Sequence, residues 1–223
     1  MHKIMKRIAQ YCLIVVVPLL ICSCKSNEDR AEELIRTELS KTLYDFESYQ
    51  PIETKVSVAK CNMYNDTACW RLGENLAYGM EQFLEYKEKI EEARDHMSIW
   101  GRPTYYSSSY SDNQYYKYKA KAEDAVTHAM AALLVNKQIA DELRDSVNAL
   151  DTTIVIGWEV IHDFRCKTRG GSPEIGHYRY VISRDFKNVY ICEDTESPRD
   201  KRTREALETI LTDYWDMDDT DSE

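Results

Sequence analysis

Glycine and proline are scarce, 7 and 5 among 223 residues. Few residues are therefore placed to break helices, and long helices are expected. Positive charge is also short, with 29 Lys and Arg against 39 Asp and Glu, a net charge of −10. A chain of this sign is a poor partner for nucleic acid, whose affinity comes mainly from phosphate contacts. Paired metal-ligand spacing is missing too. Cys61, Cys69, Cys166 and Cys192 are separated by 8, 97 and 26 residues, with no C-x-x-C, which argues against zinc. No loop is dense enough in Asp, Asn and Gly to hold calcium. No catalytic motif and no cofactor fingerprint is visible, so neither enzymatic activity nor a cofactor is expected. No repeat is visible beyond heptads.

What is present begins at the N-terminus. Lys3, Lys6 and Arg7 precede 16 uncharged residues, IAQYCLIVVVPLLICS. That run is short for a bilayer span, which needs about 20 apolar residues, and Pro18 lies inside it. It ends in Ile21-Cys22-Ser23-Cys24, which resembles a bacterial lipobox: an aliphatic residue, two small residues, then the cysteine that receives lipid. The resemblance implies a signal peptide over 1–23 and fatty-acyl chains, such as palmitate, on Cys24. Cys22 stands where a small apolar or hydroxyl residue is more usual. It is the poorer acceptor because Leu20 and Ile21 would precede it. More than one acyl chain anchors firmly, where a single chain binds only marginally. Loss of residues 1–23 removes three bases and no acids, leaving 26 against 39, or −13. Lys25 follows the cysteine where enteric inner-membrane retention uses aspartate. Glu28, Asp29, Glu32 and Glu33 resemble, with Lys25 and Arg30 among them, the acidic export signals of Bacteroidota lipoproteins. The outer membrane is the expected site, on its periplasmic or its surface side.

The mature chain opens on a helix. Ser26 or Asn27 can cap it, its first turn is acidic, and Ala31, Leu34, Ile35, Leu39, Thr42 and Leu43 form one stripe. Ile52, Thr54, Val56 and Val58 then alternate with polar residues as a half-buried strand. A long helix follows from Asn65-Asp66 to Gly101, with Pro103 beyond. Its stripe, Cys69, Leu72, Leu76, Gly79, Phe83, Tyr86, Ile90, Ala93 and Met97, steps by three and four over four heptads. A second helix from about Tyr115 to Asn148 repeats that step through Ala122, Ala125, Ala129, Ala132, Asn136, Ile139 and Leu143. Two such helices with a short connection predict an antiparallel hairpin over 66–148, each about 45 Å long.

The period then falls to two. Ile154, Ile156, Trp158, Val160, His162, Phe164 and Cys166 share a strand face. Gly170-Gly171 turns the chain, IGHYRYVIS returns, and VYICED makes a third strand of a meander. Ser197-Pro198 opens a last helix with Ala206, Leu207, Ile210, Leu211, Tyr214 and Trp215 inward. The tail 216–223 has five acids in eight residues and is expected to be disordered. The prediction is an α+β fold in a single domain, 24–215. A small antiparallel sheet of about four strands packs with the N- and C-terminal helices, and the helical hairpin is inserted between strands one and two.

SYQPIETKV (48–56) and GWEVIHDFRCKTRGGSPEIGHYRYVISRDFKNV (157–189) resemble two segments of small, uncharacterised lipoproteins of Bacteroidota. The two segments span 42 of the 223 residues, and the resemblance implies location and fold. It carries no activity.

Four constellations remain. Six of the 16 tyrosines, Tyr105, Tyr106, Tyr110, Tyr115, Tyr116 and Tyr118, crowd RPTYYSSSYSDNQYYKYK at the hairpin turn. Tyrosine with serine and asparagine suits adaptable recognition, and exposed rings can stack on sugars. The other reading packs some of these rings on the hairpin end and leaves the rest to solvent. His162 and Cys166 lie four residues apart on a strand, about 13 Å, too far for a nucleophile and its base. They read as a core histidine and a structural thiol. With a three-residue turn, His162 would face Tyr180 and Phe164 would face Tyr178, while Asp163 and His177 would meet at most on the surface. Cys61–Cys69 is a candidate disulfide in an oxidising compartment. Glu88, Glu91, Glu92 and Asp95 read as a solvated helix face.

The expected function is a lipid-anchored, non-enzymatic envelope protein presenting a tyrosine-rich tip to a protein or glycan. The alternative is a structural role, in which the hairpin pairs with a second copy or another subunit.

Overall fold

The structure is a computed structural model that describes residues 25–210. The expected signal segment 1–23, the expected lipidation site Cys24, the apolar residues Leu211, Tyr214 and Trp215 expected on the last helix, and the tail 216–223 lie outside the described residues. Among the described residues no helix is long and apolar enough to cross a membrane.

The Ser26 hydroxyl accepts from the Asp29 N–H at 3.1 Å, and the Asp29 carboxylate accepts from the Ser26 N–H at 3.0 Å. This reciprocal cap starts α1, Asn27–Thr42, which buries Ala31, Ile35 and Leu39. The chain continues through β1 (Asp45–Lys60), α2 (Thr67–Trp100), α3 (Ser109–Asn148), β2 (Val155–Lys167), β3 (Pro173–Ser183), β4 (Val189–Asp194) and α4 (Pro198–Thr209). The four strands form one antiparallel sheet in the order β1-β2-β3-β4. This is the predicted α+β architecture, with the α2/α3 hairpin inserted between β1 and β2.

Strand alternation makes two cores. On one face α1 covers Tyr49, Val160, Phe164, Tyr180 and Ile182. On the other, Val181 and Ile191 meet the base of the hairpin (Trp70, Leu72, Leu76, Leu143) and Leu207 and Ile210 at the chain's last described turn. Leu207 fills the notch left by Gly73, and Arg199 and Arg202 reach Glu74 and Glu81 on α2. The first and last helices therefore press on opposite faces.

Two local expectations are corrected. Ile52 and Val58 are 54% and 51% exposed, although the alternation had put them inside. The register shift at Pro51/Glu53 turns the first part of β1 over, so Tyr49 joins the α1-side core in place of Ile52, while Val58 keeps its face beside Trp158 but lies open at the sheet edge. An edge strand tolerates such bulges and Pro51. The β2–β3 turn is also longer than three residues. The Thr168 N–H donates to the Ser172 carbonyl at 2.9 Å, Gly171 alone of the glycine pair takes positive φ, and Lys167 pairs with Pro173. Every pairing moves by two residues: His162 faces Tyr178, and Phe164 faces Gly176. A Cβ on Gly176 would stand 2.5 Å from the Phe164 ring, so the missing side chain makes room for it.

The heptads hold along the hairpin. Each residue of the two stripes is buried or half-buried. Asn136 is buried directly against Gly79, leaving no room there for a Cβ. At 34 and 40 residues the helices run about 50 and 60 Å.

Candidate functional site

The hairpin turns at Gly101, which caps α2 with φ 67°. The Ser108 hydroxyl accepts from the Ser111 N–H at 3.1 Å, and the Ser107 hydroxyl donates to Asp112 at 2.5 Å. These bonds start α3 at Ser109, six residues before its expected beginning. The tyrosine cluster is thus split. Only Tyr105 and Tyr106 occupy the loop, 95% and 93% exposed and edge-on to each other at 5.3 Å. Tyr110, Tyr115, Tyr116 and Tyr118 belong to α3. Tyr110 meets Trp100 edge-on at 5.5 Å, and Tyr116 is exposed beside half-buried Tyr115.

Tyr118 points back across the hairpin and stacks on His96, centroids 4.2 Å apart. Lower down the pairing is exchanged, with Tyr86 of α2 on His128 of α3 at 5.3 Å. The Lys89 and Lys121 ammonium groups lie 5.0 and 5.1 Å from the Tyr86 and Tyr118 centroids, within cation–π range. Between the two stacked pairs lies a cleft of about 470 Å³. Buried Ala93 and Ala125 form its floor, and Glu92 and Asp124 stand on its walls. Glu92 approaches His96 at 3.8 Å, and Asp124 approaches His128 at 3.6 Å.

Glu92 lies on the exposed helix face expected of it and also forms part of this cleft, which the expectations above do not include. The missed signal is an internal repeat. QFLEYKEKIEEARDH (82–96) and QYYKYKAKAEDAVTH (114–128) match at seven of 15 positions with an offset of 32. Glu92/Asp124 and Phe83/Tyr115 also agree in kind.

The sheet's polar groups serve its packing. The His162 Nε2 lies 2.9 Å from the Tyr49 hydroxyl, and its Nδ1 lies 2.9 Å from Thr54 Oγ1. A neutral imidazole offers one donor and one acceptor, so one hydroxyl donates while the other accepts. Burial pulls its pKa from 6.5 down to about 4, against a smaller opposing pull from Asp163. Both ring nitrogens are taken, which leaves none for Cys166. Burial also raises the Cys166 thiol, disfavouring thiolate. Asp163 and His177 meet at 2.8 Å on the half-exposed face. On the α4 side, Arg179 binds Glu159 at 2.5 Å and Glu193 at 3.1 Å. Arg204 holds Glu193 at 2.5 and 2.9 Å. Arg179 also reaches Asn65 and the Tyr64 carbonyl. Buried Arg179 and Glu193 are thereby matched, with half-buried Glu159 and Arg204 completing two charges of each sign.

Cys61 and Cys69, the expected disulfide partners, stand as free thiols in this structure, as do Cys166 and Cys192. Burial, with Asp66 nearby, pushes Cys69 up to about 12. Among the described residues no three His, Cys, Asp or Glu side chains converge on a point that would hold a metal. In comparisons with known proteins, no protein family, no curated protein and no solved structure matches this chain.

Proposed function

We propose that the chain is a lipid-anchored cell-envelope protein, attached through Cys24 and without enzymatic activity, that presents the end of its helical arm to an envelope protein or glycan. The location favoured by the N-terminal sequence is the outer membrane. The observation that carries the binding role is the pair Tyr105 and Tyr106, almost wholly exposed at the turn. Two aromatic rings kept out of every core, on a loop braced by serine caps, are suited to contact with something else. The test is a pull-down from envelope extracts and a glycan array with the Tyr105→Ser, Tyr106→Ser double variant. Capture of a partner by the parent and not by the variant supports the role. Identical capture by both removes it. Membrane attachment is tested separately: Cys24→Ala should free the protein into buffer without detergent, and the parent should incorporate labelled palmitate.

A second reading is favoured by a different observation. Val126, Met130, Leu133 and Leu134 are exposed along one side of α3, at the i, i+4, i+7, i+8 spacing of a helix-pairing face. In that reading the arm pairs with a second copy or another subunit. A single monomer mass in light scattering, at high protein concentration, counts against self-pairing.

A further inference from the structure

The two copies of the repeat do not merely recur along the arm; the hairpin folds them onto one another. Tyr86, Lys89, Glu92 and Ala93 of the first copy correspond, at the offset of 32, to Tyr118, Lys121, Asp124 and Ala125 of the second. All eight line the same cleft. Antiparallel helices carrying the same segment are related by an approximate two-fold axis. That is why each tyrosine stacks on the other copy's histidine. Helix packing explains the alanines, which let the backbones approach. It does not require the lysines, which lie on the exposed surface, nor an acid three residues after each. At 84/116, 85/117, 88/120, 94/126 and 95/127, all exposed, the copies differ.

We infer that the cleft is a binding site for a small zwitterion, a free amino acid or dipeptide carrying both an ammonium and a carboxylate. Its walls bring both signs of charge, the Lys121 ammonium, the Lys89 ammonium paired with Glu85 at 2.7 Å, and the carboxylates of Glu92 and Asp124, so it is not the single-sign field that suits a polyanion or a polycation. Among the described residues Lys121 has no carboxylate partner; its ammonium rests on the Tyr118 ring. Neither Glu92 nor Asp124 makes a close ion pair: each has a distant contact to histidine, and Asp124 also lies in the field of Lys89. A ligand carboxylate on Lys121 and a ligand ammonium between Glu92 and Asp124 supply what each lacks, and charge-assisted bonds of this kind are the stronger ones. The methyl groups of Ala93 and Ala125 take an apolar side chain. A volume of about 470 Å³ falls among small-molecule sites. This inference goes beyond the role proposed for the tip and leaves Tyr105 and Tyr106 untouched, so either can fail alone.

The test uses the full chain in detergent, labelled with ¹³C at its alanine methyls, titrated with L-leucine and L-alanyl-L-alanine. Sodium propionate and propylamine serve as probes bearing one charge each. A zwitterion is expected to shift the Ala93 and Ala125 methyl signals, and the single-charge probes to bind at least tenfold more weakly. Lys121→Met should weaken the zwitterion tenfold or more, and Lys119→Met, outside the cleft, should leave it unchanged. Asp124→Asn carries the same test if Lys121→Met loses helicity by circular dichroism. Silence of both methyls with both zwitterions overturns the proposal. So does equal binding of a single-charge probe, or equal behaviour of the two lysine variants.

Discussion

The layered domain and the distal half of the arm bury different things. Between the sheet and its helices lie Phe164, Tyr180, Ile182, Leu76 and Leu207, all essentially inaccessible to water. In the distal half the buried seam residues are Ala93, Ala122, Ala125 and Ala129. Both regions obey a regular apolar period, yet the area removed from water per residue is far smaller in the arm. Hydrophobic stabilisation scales with that area, about 25 cal/mol per Å². The arm therefore depends on helix propensity, on stacked rings and on its base. A region with few large buried groups opens locally at lower free energy, and function that needs access is better placed there than in the sheet.

That contrast can be broken by measurement. Phe164→Ala removes a ring packed on Tyr49, His162 and Tyr178. It should lower unfolding free energy by about 3–5 kcal/mol in urea titrations. Acid should come next. Because the folded pKa of His162 is depressed to about 4 from 6.5, the unfolded chain binds the extra proton between those values. Stability is full above pH 6.5 and falls as pH drops towards 4, by about 3 kcal/mol. His162→Gln should flatten that slope relative to the parent. Gly176→Val would drive a side chain into the Phe164 ring, at about 1–3 kcal/mol. In the arm, Ala129→Gly should cost only about 1 kcal/mol, and amides of residues 84–133 should exchange hydrogen faster than those of β2 and β3. Tyr105→Ser with Tyr106→Ser should move stability by less than about 0.5 kcal/mol. A distal arm as slow to exchange as the sheet would erase the distinction.

How much of this was legible follows from what each signal depends on. The heptads were readable because burial along two long helices repeats every few residues and averages over many turns. Alternation in β2 and β3 was readable for the same reason, and so the α+β class and the inserted hairpin could be drawn from sequence. Register was not. It rests on the closure between Thr168 and Ser172, and a change of two residues keeps every side chain on its own face, so the pattern looks the same either way. The bulges of β1 leave no trace in composition. The start of α3 was hidden because four serines around residues 107–111 offer competing caps, and tyrosine is an indifferent helix former. Of the candidate sites, the exposed tip pair was visible as a cluster but not as a pair. The cleft was masked by the heptad itself, whose lysines, acids and alanines make the repeat look like ordinary helix surface. The Arg179 cluster joins residues more than a hundred positions apart, beyond any local pattern.

Leu207 seated against Gly73 has a consequence for how the chain is made. Synthesis runs from the N-terminus, so the foot of the arm, made more than a hundred residues earlier, stays without its wedge until Leu207 has left the ribosome. Until then Trp70, Leu72 and Leu76 face an open side, and a chain cut short before α4 would carry that sticky foot for as long as it lasts.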